Sequence, residues 1–190
     1  MWGIVYYAKV IPEPLFNKQS TSRFLYLNIN SVLGVGPNNI FIMRLIILSG
    51  EDNCGKTTTL NSLANKIEIS GLYLKEKIPK GNPQQKDFDY VFYKNPDYSG
   101  KPIIISTWGD YPQLLQECCE KYNDAELIVC ACNMRFMHGR KFKPFVDAMK
   151  YDRFATIVLK KDEINPEKQE IANEEYTDYL YSILKYFGIL

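Results

Sequence analysis

The distribution of apolar and polar positions divides the chain at about residue 43. Residues 1–42 mix aromatics with Pro12, Pro14, Gly34, Gly36 and Pro37 and sustain no period. From Arg44 onward the signals alternate. Arg44–Ser49 carries a continuous apolar run, the pattern of a strand buried on both faces of a parallel sheet. Lys56–Ile67 follows with Leu60, Leu63, Ala64 and Ile67 at helical spacing. Residues 72–78 suit a short strand and Gly81–Gln85 a loop. Phe88–Tyr93 and Pro102–Thr107 flank the turn-rich NPDYSG, which predicts a β-hairpin.

Tyr111–Tyr122 reads as a helix beginning after Pro112, with Leu114, Leu115 and Cys118 inward. Leu127–Cys132 is a second buried strand, Phe142–Met149 a helix and Phe154–Leu159 a further strand. Asn165-Pro166 is a cap and first turn. Ile171, Tyr179, Leu180, Ile183, Leu184 and Phe187 are expected on one face of the last helix, which Gly188 ends. Strands alternating with helices imply an α/β domain of three layers (α/β/α) with a mostly parallel sheet, the hairpin adding one antiparallel strand. Residues 43–190 form this domain. Residues 1–42 are either an appendage, including sequence upstream of a later start codon, or an extra strand or arm packed on it.

Composition narrows the function classes. The 23 basic and 22 acidic residues give a net charge of +1, so no global field draws nucleic acid or membrane. Any electrostatic site is local. Cys54, Cys118, Cys119, Cys130 and Cys132 are an odd set, two adjacent and two spaced to share one side of a strand. That is not a disulfide framework, and with His138 as the sole histidine it makes no zinc site. A reduced, cytoplasmic protein is the expectation. No run reaches the ~20 apolar residues of a membrane-spanning helix.

The chemistry is concentrated in GEDNCGKTT, residues 50–58. Gly50, Gly55, Lys56 and Thr57 satisfy G-x-x-x-x-G-K-[ST]. Glycines permit the tight turn and a close backbone approach to phosphate oxygens. The N–H groups of Glu51, Asp52, Asn53, Cys54 and their neighbours can form an anion nest, facing the positive end of the helix that follows. Lys56 adds a charge toward the outer phosphates, Thr57 offers a hydroxyl to Mg²⁺, and Thr58 extends the cradle.

The stretch LIILSGEDNCGKTTTLNSLANKI resembles the P-loop nucleoside triphosphatase superfamily. Its G-x-D-x-x-G-K-T-T form is similar to that of thymidylate kinase and related nucleotide kinases. The resemblance implies a nucleoside triphosphate bound with Mg²⁺, and a functional carboxylate at Asp52. It covers some twenty residues. The Asp-Arg-Tyr/Phe type motif of thymidylate kinases is missing, as is the D-x-x-G switch of GTPases.

Three groups are candidates to complete a site. The run PIIISTWGD places Ser106 and Thr107 where such enzymes carry a metal-fixing acid, usually at the end of a neighbouring strand. The carboxylate comes later, at Asp110, which can serve the metal, cap the next helix, or do both. The basic stretch RFMHGRKFKPF follows a strand, where loops surround ligands in doubly wound sheets. There Arg135 and Arg140 could clamp transferring phosphates, with His138, Lys141 and Lys143 beside them. LKKD, residues 159–162, has Leu159 where the guanine-reading N-K-x-D motif has Asn, so ATP is the expected nucleotide and GTP the second choice.

The sequence therefore points to a Mg²⁺-dependent phosphotransferase of the nucleotide-kinase-like kind. Its partners would be a nucleoside triphosphate and a small-molecule or phosphorylated acceptor, with no membrane and nucleic acid not favoured. The alternatives are a nucleotide-hydrolysing switch and a nucleotide-binding protein with little turnover.

Overall fold

In chain order the elements are β1 (Lys9–Ile11), β2 (Arg44–Gly50), α1 (Lys56–Ile69), β3 (Tyr73–Lys80), β4 (Asp87–Tyr93), β5 (Ile103–Ser106), α2 (Pro112–Lys121), β6 (Leu127–Asn133), β7 (Thr156–Lys160) and α3 (Pro166–Tyr186). The structure is a computed structural model that describes residues 9–11, 43–81, 84, 86–133, 151–152, 155–160 and 165–190.

The seven described strands form one sheet in the order β1-β7-β2-β6-β5-β4-β3. Neighbours from β1 to β5 are parallel. β4 alone runs the other way, pairing antiparallel with β5 and β3. The hairpin expected on either side of NPDYSG is thus β4–β5. Lys9–Ile11 adds an edge strand beside β7, within the first 42 residues.

Strand alternation sends side chains to opposite faces, and two apolar cores follow from it. Leu45 and Ile47 of β2 join Ile104, Ile128, Cys130 and the inner side of α2. Ile46 and Leu48 join Ile105, Val129, α1 and α3. Helices therefore cover both faces. Every residue of β6 is buried, and so is all of β2 except Arg44. Each fully buried Leu or Ile contributes roughly 1.5–3 kcal/mol, so this central strand pair anchors the domain.

The parallel pairing brings strand ends to one edge. Gly50 is in register with Asn133 on one side and Lys160 on the other. Because β4 is reversed, its first residues reach the same edge, with Asp89 opposite Ser106. β5, the strand expected beside the glycine-rich loop, is separated from β2 by β6.

Two inner faces differ from expectation. On α2 the buried residues are Leu115, Cys118 and Cys119, whereas Leu114 is only half-buried. On α3 Ile171 is 57% exposed, and Tyr176, Thr177, Leu180 and Leu184 face inward instead. Ile171 precedes Leu180 by nine residues, about two and a half turns, which puts it on the opposite side of the helix. The α3 start is as expected: the Asn165 side chain accepts from the amides of Glu167 (2.9 Å) and Lys168 (3.3 Å). Gly188, at φ +69°, follows the helix end.

Candidate functional site

Residues 50–56 turn from β2 directly into α1. Gly55 takes the N-cap position of α1 at φ +85°, a left-handed conformation that favours glycine. A Cβ there would overlap the Asn173 side chain of α3 unless that side chain moved. Gly50 is needed for space alone: a Cβ there would sit 2.8 Å from the Lys160 carbonyl oxygen. No side chain caps α1 and its first turn carries no acid. The contrast with α3 is direct, since α3 has both a capping Asn165 and an acidic Glu167. An uncapped helix start with its dipole exposed favours an anion.

Lys56 is buried, 7% exposed, and curls back over the loop. Its Nζ donates to the carbonyl oxygens of Gly50 (3.1 Å) and Glu51 (2.5 Å). Cys54 is buried beneath it, Sγ 3.8 Å from Nζ. Asp52 accepts a hydrogen bond from the Asn133 carboxamide at the end of β6. Asn53 stands at φ +61°, and its carbonyl accepts from Gln169 Nε2 of α3 at 2.7 Å.

Sequence reasoning missed Asp87. The first residue of β4 is 5% exposed, and its Oδ1 accepts from the hydroxyls of Thr57 (3.1 Å) and Thr107 (3.2 Å). Thr107 in turn accepts from the Phe88 amide at 2.9 Å. The signal was present in DFDYVFY, because carboxylates inside an apolar strand require partners. The second acid of that run, Asp89, is held by Ser106, Tyr122 and Lys80 at 2.8, 2.8 and 2.9 Å. Among the described residues, only hydroxyls donate to Asp87. Burial pushes its carboxyl above the ordinary range; the two hydroxyls pull it back, and the nearby Asp110 charge adds to the rise.

These groups border a single open cavity of about 470 Å³. Gly55, Lys56, Thr57 and Thr58 form its floor. Asp87, Thr107, Gly109 and Asp110 form one wall, and Pro166, Gln169, Glu170 and Asn173 of α3 another. The volume suits a nucleotide-sized ligand. Asp110 thus faces the cavity, while Tyr111 takes the N-cap position of α2. Gly109 packs so closely on β6 that a Cβ would lie 2.5 Å from the Ala131 backbone.

Of the residues singled out from sequence, the loop and Asp110 converge on this cavity or its immediate frame. Arg135, His138, Arg140, Lys141 and Lys143 lie outside the described residues, as do the helix expected at 142–149 and Lys161 and Asp162 of LKKD. Lys160 is buried, its ammonium 4.4 Å from the Tyr176 ring centre. All five cysteines are buried and free. No described helix is long and apolar enough to cross a membrane.

Asp87, Thr57 and Asp110 supply hard oxygen donors of the kind Mg²⁺ uses, one or two carboxylates and a hydroxyl with ligand phosphates completing the shell. Among the described residues no cluster of three acidic, histidine or cysteine side chains offers a self-sufficient metal cage. Comparison with protein-family models, curated proteins and solved structures returns no match to this chain.

Proposed function

We propose that the protein binds a nucleoside triphosphate with Mg²⁺ and transfers a phosphoryl group to a small acceptor, in the manner of the P-loop nucleotide kinases its loop resembles. One observation carries the reading: the Thr57 hydroxyl is held against the buried Asp87 carboxylate beside the uncapped start of α1.

The loop amides and the α1 dipole would hold the phosphates. Lys56, now on the carbonyls of Gly50 and Glu51, would exchange those neutral acceptors for a charged one, and hydrogen bonds to ionised groups are stronger. Thr57 and Asp87 would hold Mg²⁺, with Asp110 as a further oxygen donor. Held there, the ion would supply positive charge against the negative charge that develops on transfer. Asn133 keeps Asp52 oriented at the loop's edge, where a carboxylate can accept the proton of an acceptor hydroxyl.

The expected acid at the end of β5 is replaced by a device of two strands. Thr107 occupies the position and passes the role to Asp87 through its hydroxyl. This supports metal-dependent chemistry without a carboxylate directly after the apolar run. ATP is the first nucleotide to test and GTP the second.

The test is labelled ATP with Mg²⁺ and a panel of nucleosides and nucleoside monophosphates. Label transferred to an acceptor supports the kinase. Phosphate released without an acceptor supports the switch, and binding with neither supports a nucleotide sensor. Absence of any triphosphate binding at millimolar ligand overturns the reading.

A further inference from the structure

We propose that the α3 wall of the cavity is a sugar subsite, in which Glu170 accepts hydrogen bonds from the vicinal hydroxyls of a ribonucleotide. The inference rests on the phosphate-binding reading above and extends it to the rest of the ligand.

The first argument is direction. Thr57 aims its hydroxyl at Asp87 and Thr107, so the metal and the outer phosphates belong at that wall. On the other side of the floor the Asn173 side chain lies on Gly55 and accepts from the Thr59 hydroxyl at 3.4 Å. A ligand whose outer phosphates sit against Asp87 must therefore lead its remaining half along α3.

The second argument is chemistry. The α3 wall is not a second phosphate site, because Asn165 already takes the amides of Glu167 and Lys168 and Pro166 has no N–H. The Gln169 amide donates to the Asn53 carbonyl, which commits it to holding the loop. Glu170 is then the one charged side chain among the α3 residues lining the cavity. A carboxylate facing a polyphosphate is repelled by it, and it can only accept hydrogen bonds. What makes it useful is a part of the ligand that is uncharged and rich in donors. A ribose with two adjacent hydroxyls has that character, and an acid reading the ribose hydroxyl is a recurring solution in dinucleotide sites.

Calorimetry on the full chain with Mg²⁺ separates the claims. The ligands are ATP, 2′-deoxy-ATP, 3′-deoxy-ATP and inorganic tripolyphosphate, measured on the unmodified protein, Glu170→Gln and Glu170→Ala. Glu170 is exposed on the helix surface, so both variants keep the fold, which circular dichroism checks. The expected result is that each deoxy ligand binds the unmodified protein roughly tenfold more weakly than ATP, the size of a lost charged hydrogen bond. Glu170→Ala removes that preference without weakening tripolyphosphate, whose affinity stays the same or rises as the carboxylate's repulsion is lost. Equal affinity for ATP and both deoxy ligands, with tripolyphosphate still binding, overturns the sugar subsite and spares the phosphate site. Failure of tripolyphosphate and ATP alike overturns both.

Discussion

The Thr57 hydroxyl donates to Asp87 Oδ1 at 3.1 Å, across 30 residues of sequence and from helix start to strand start. Asp87 is buried, and among the described residues it accepts from two hydroxyls and forms no ion pair. A carboxylate kept in this setting costs stability, a common feature of sites built for function.

Asp87→Asn separates that cost from the role. Burial, first, and the Asp110 charge, second, raise the Asp87 carboxyl in the folded chain above its ordinary value of 3.8. A raised folded value means the fold is favoured while the group is protonated and loses that advantage as pH rises through it. The asparagine variant should therefore melt at higher temperature than the unmodified protein at neutral pH without Mg²⁺. The gain should vanish below about pH 3.8, where both side chains are neutral. The same variant should lose most of the Mg²⁺ dependence of triphosphate binding. Melting curves across pH and calorimetry with and without Mg²⁺ check the two halves; a variant that melts lower at pH 7 contradicts the first.

Lys56→Ala tests the other end of the site. Its ammonium rests on two loop carbonyls, neutral partners that would be released to water or to each other's amides. The fold should change little, because the side chain packs on the loop rather than in either apolar core. Triphosphate affinity should fall by roughly tenfold to a hundredfold, the size of one to two strong charged hydrogen bonds. Unchanged affinity by calorimetry would remove Lys56 from the site.

What the sequence disclosed and what it hid follow from how local each feature is. Gly50, Gly55, Lys56 and Thr57 are contiguous, so strand, turn and helix could be read from one window. Asp87 could not, because its place depends on β4 running against β5, which carries its first residues to the ligand edge. The same holds for Asn133, whose contact with Asp52 requires β6 to pair beside β2 in place of β5. Asn173 and Gln169 reach the loop only because α3 packs on α1. Ile171 misled for a different reason. The apolar stripe of α3 begins at Tyr176, and residues before it border the cavity, so extending the period backward crossed from core to site.

The thiols give a check on the sheet itself. Burial pushes Cys119 and Cys132 up to about 12, and Cys130 well above its ordinary value. The thiolate is the reactive form, so at pH 8 these groups stay protonated and enclosed. An aromatic disulfide reagent should label none of the five within minutes in the native protein and all five after denaturation. Fast labelling of Cys130 or Cys132 in native buffer would contradict the burial of β6.

Gly55→Ala probes the seam between loop and α3. Two penalties combine there: φ +85° strains any L-residue, and the new methyl meets the Asn173 side chain. The backbone term alone costs about 1–2 kcal/mol. The overlap adds to it unless Asn173 swings away, which would break its contact with Thr59 Oγ1. Asn173→Ala alone removes that weak contact, so it should cost well under 1 kcal/mol. In the double variant Gly55→Ala/Asn173→Ala the overlap disappears and only the φ strain remains. The pair should therefore be more stable than the two single losses summed, a coupling of at least 0.5 kcal/mol by denaturant melts. Strict additivity would mean that Asn173 does not rest on Gly55, and that α3 is not seated against the phosphate loop.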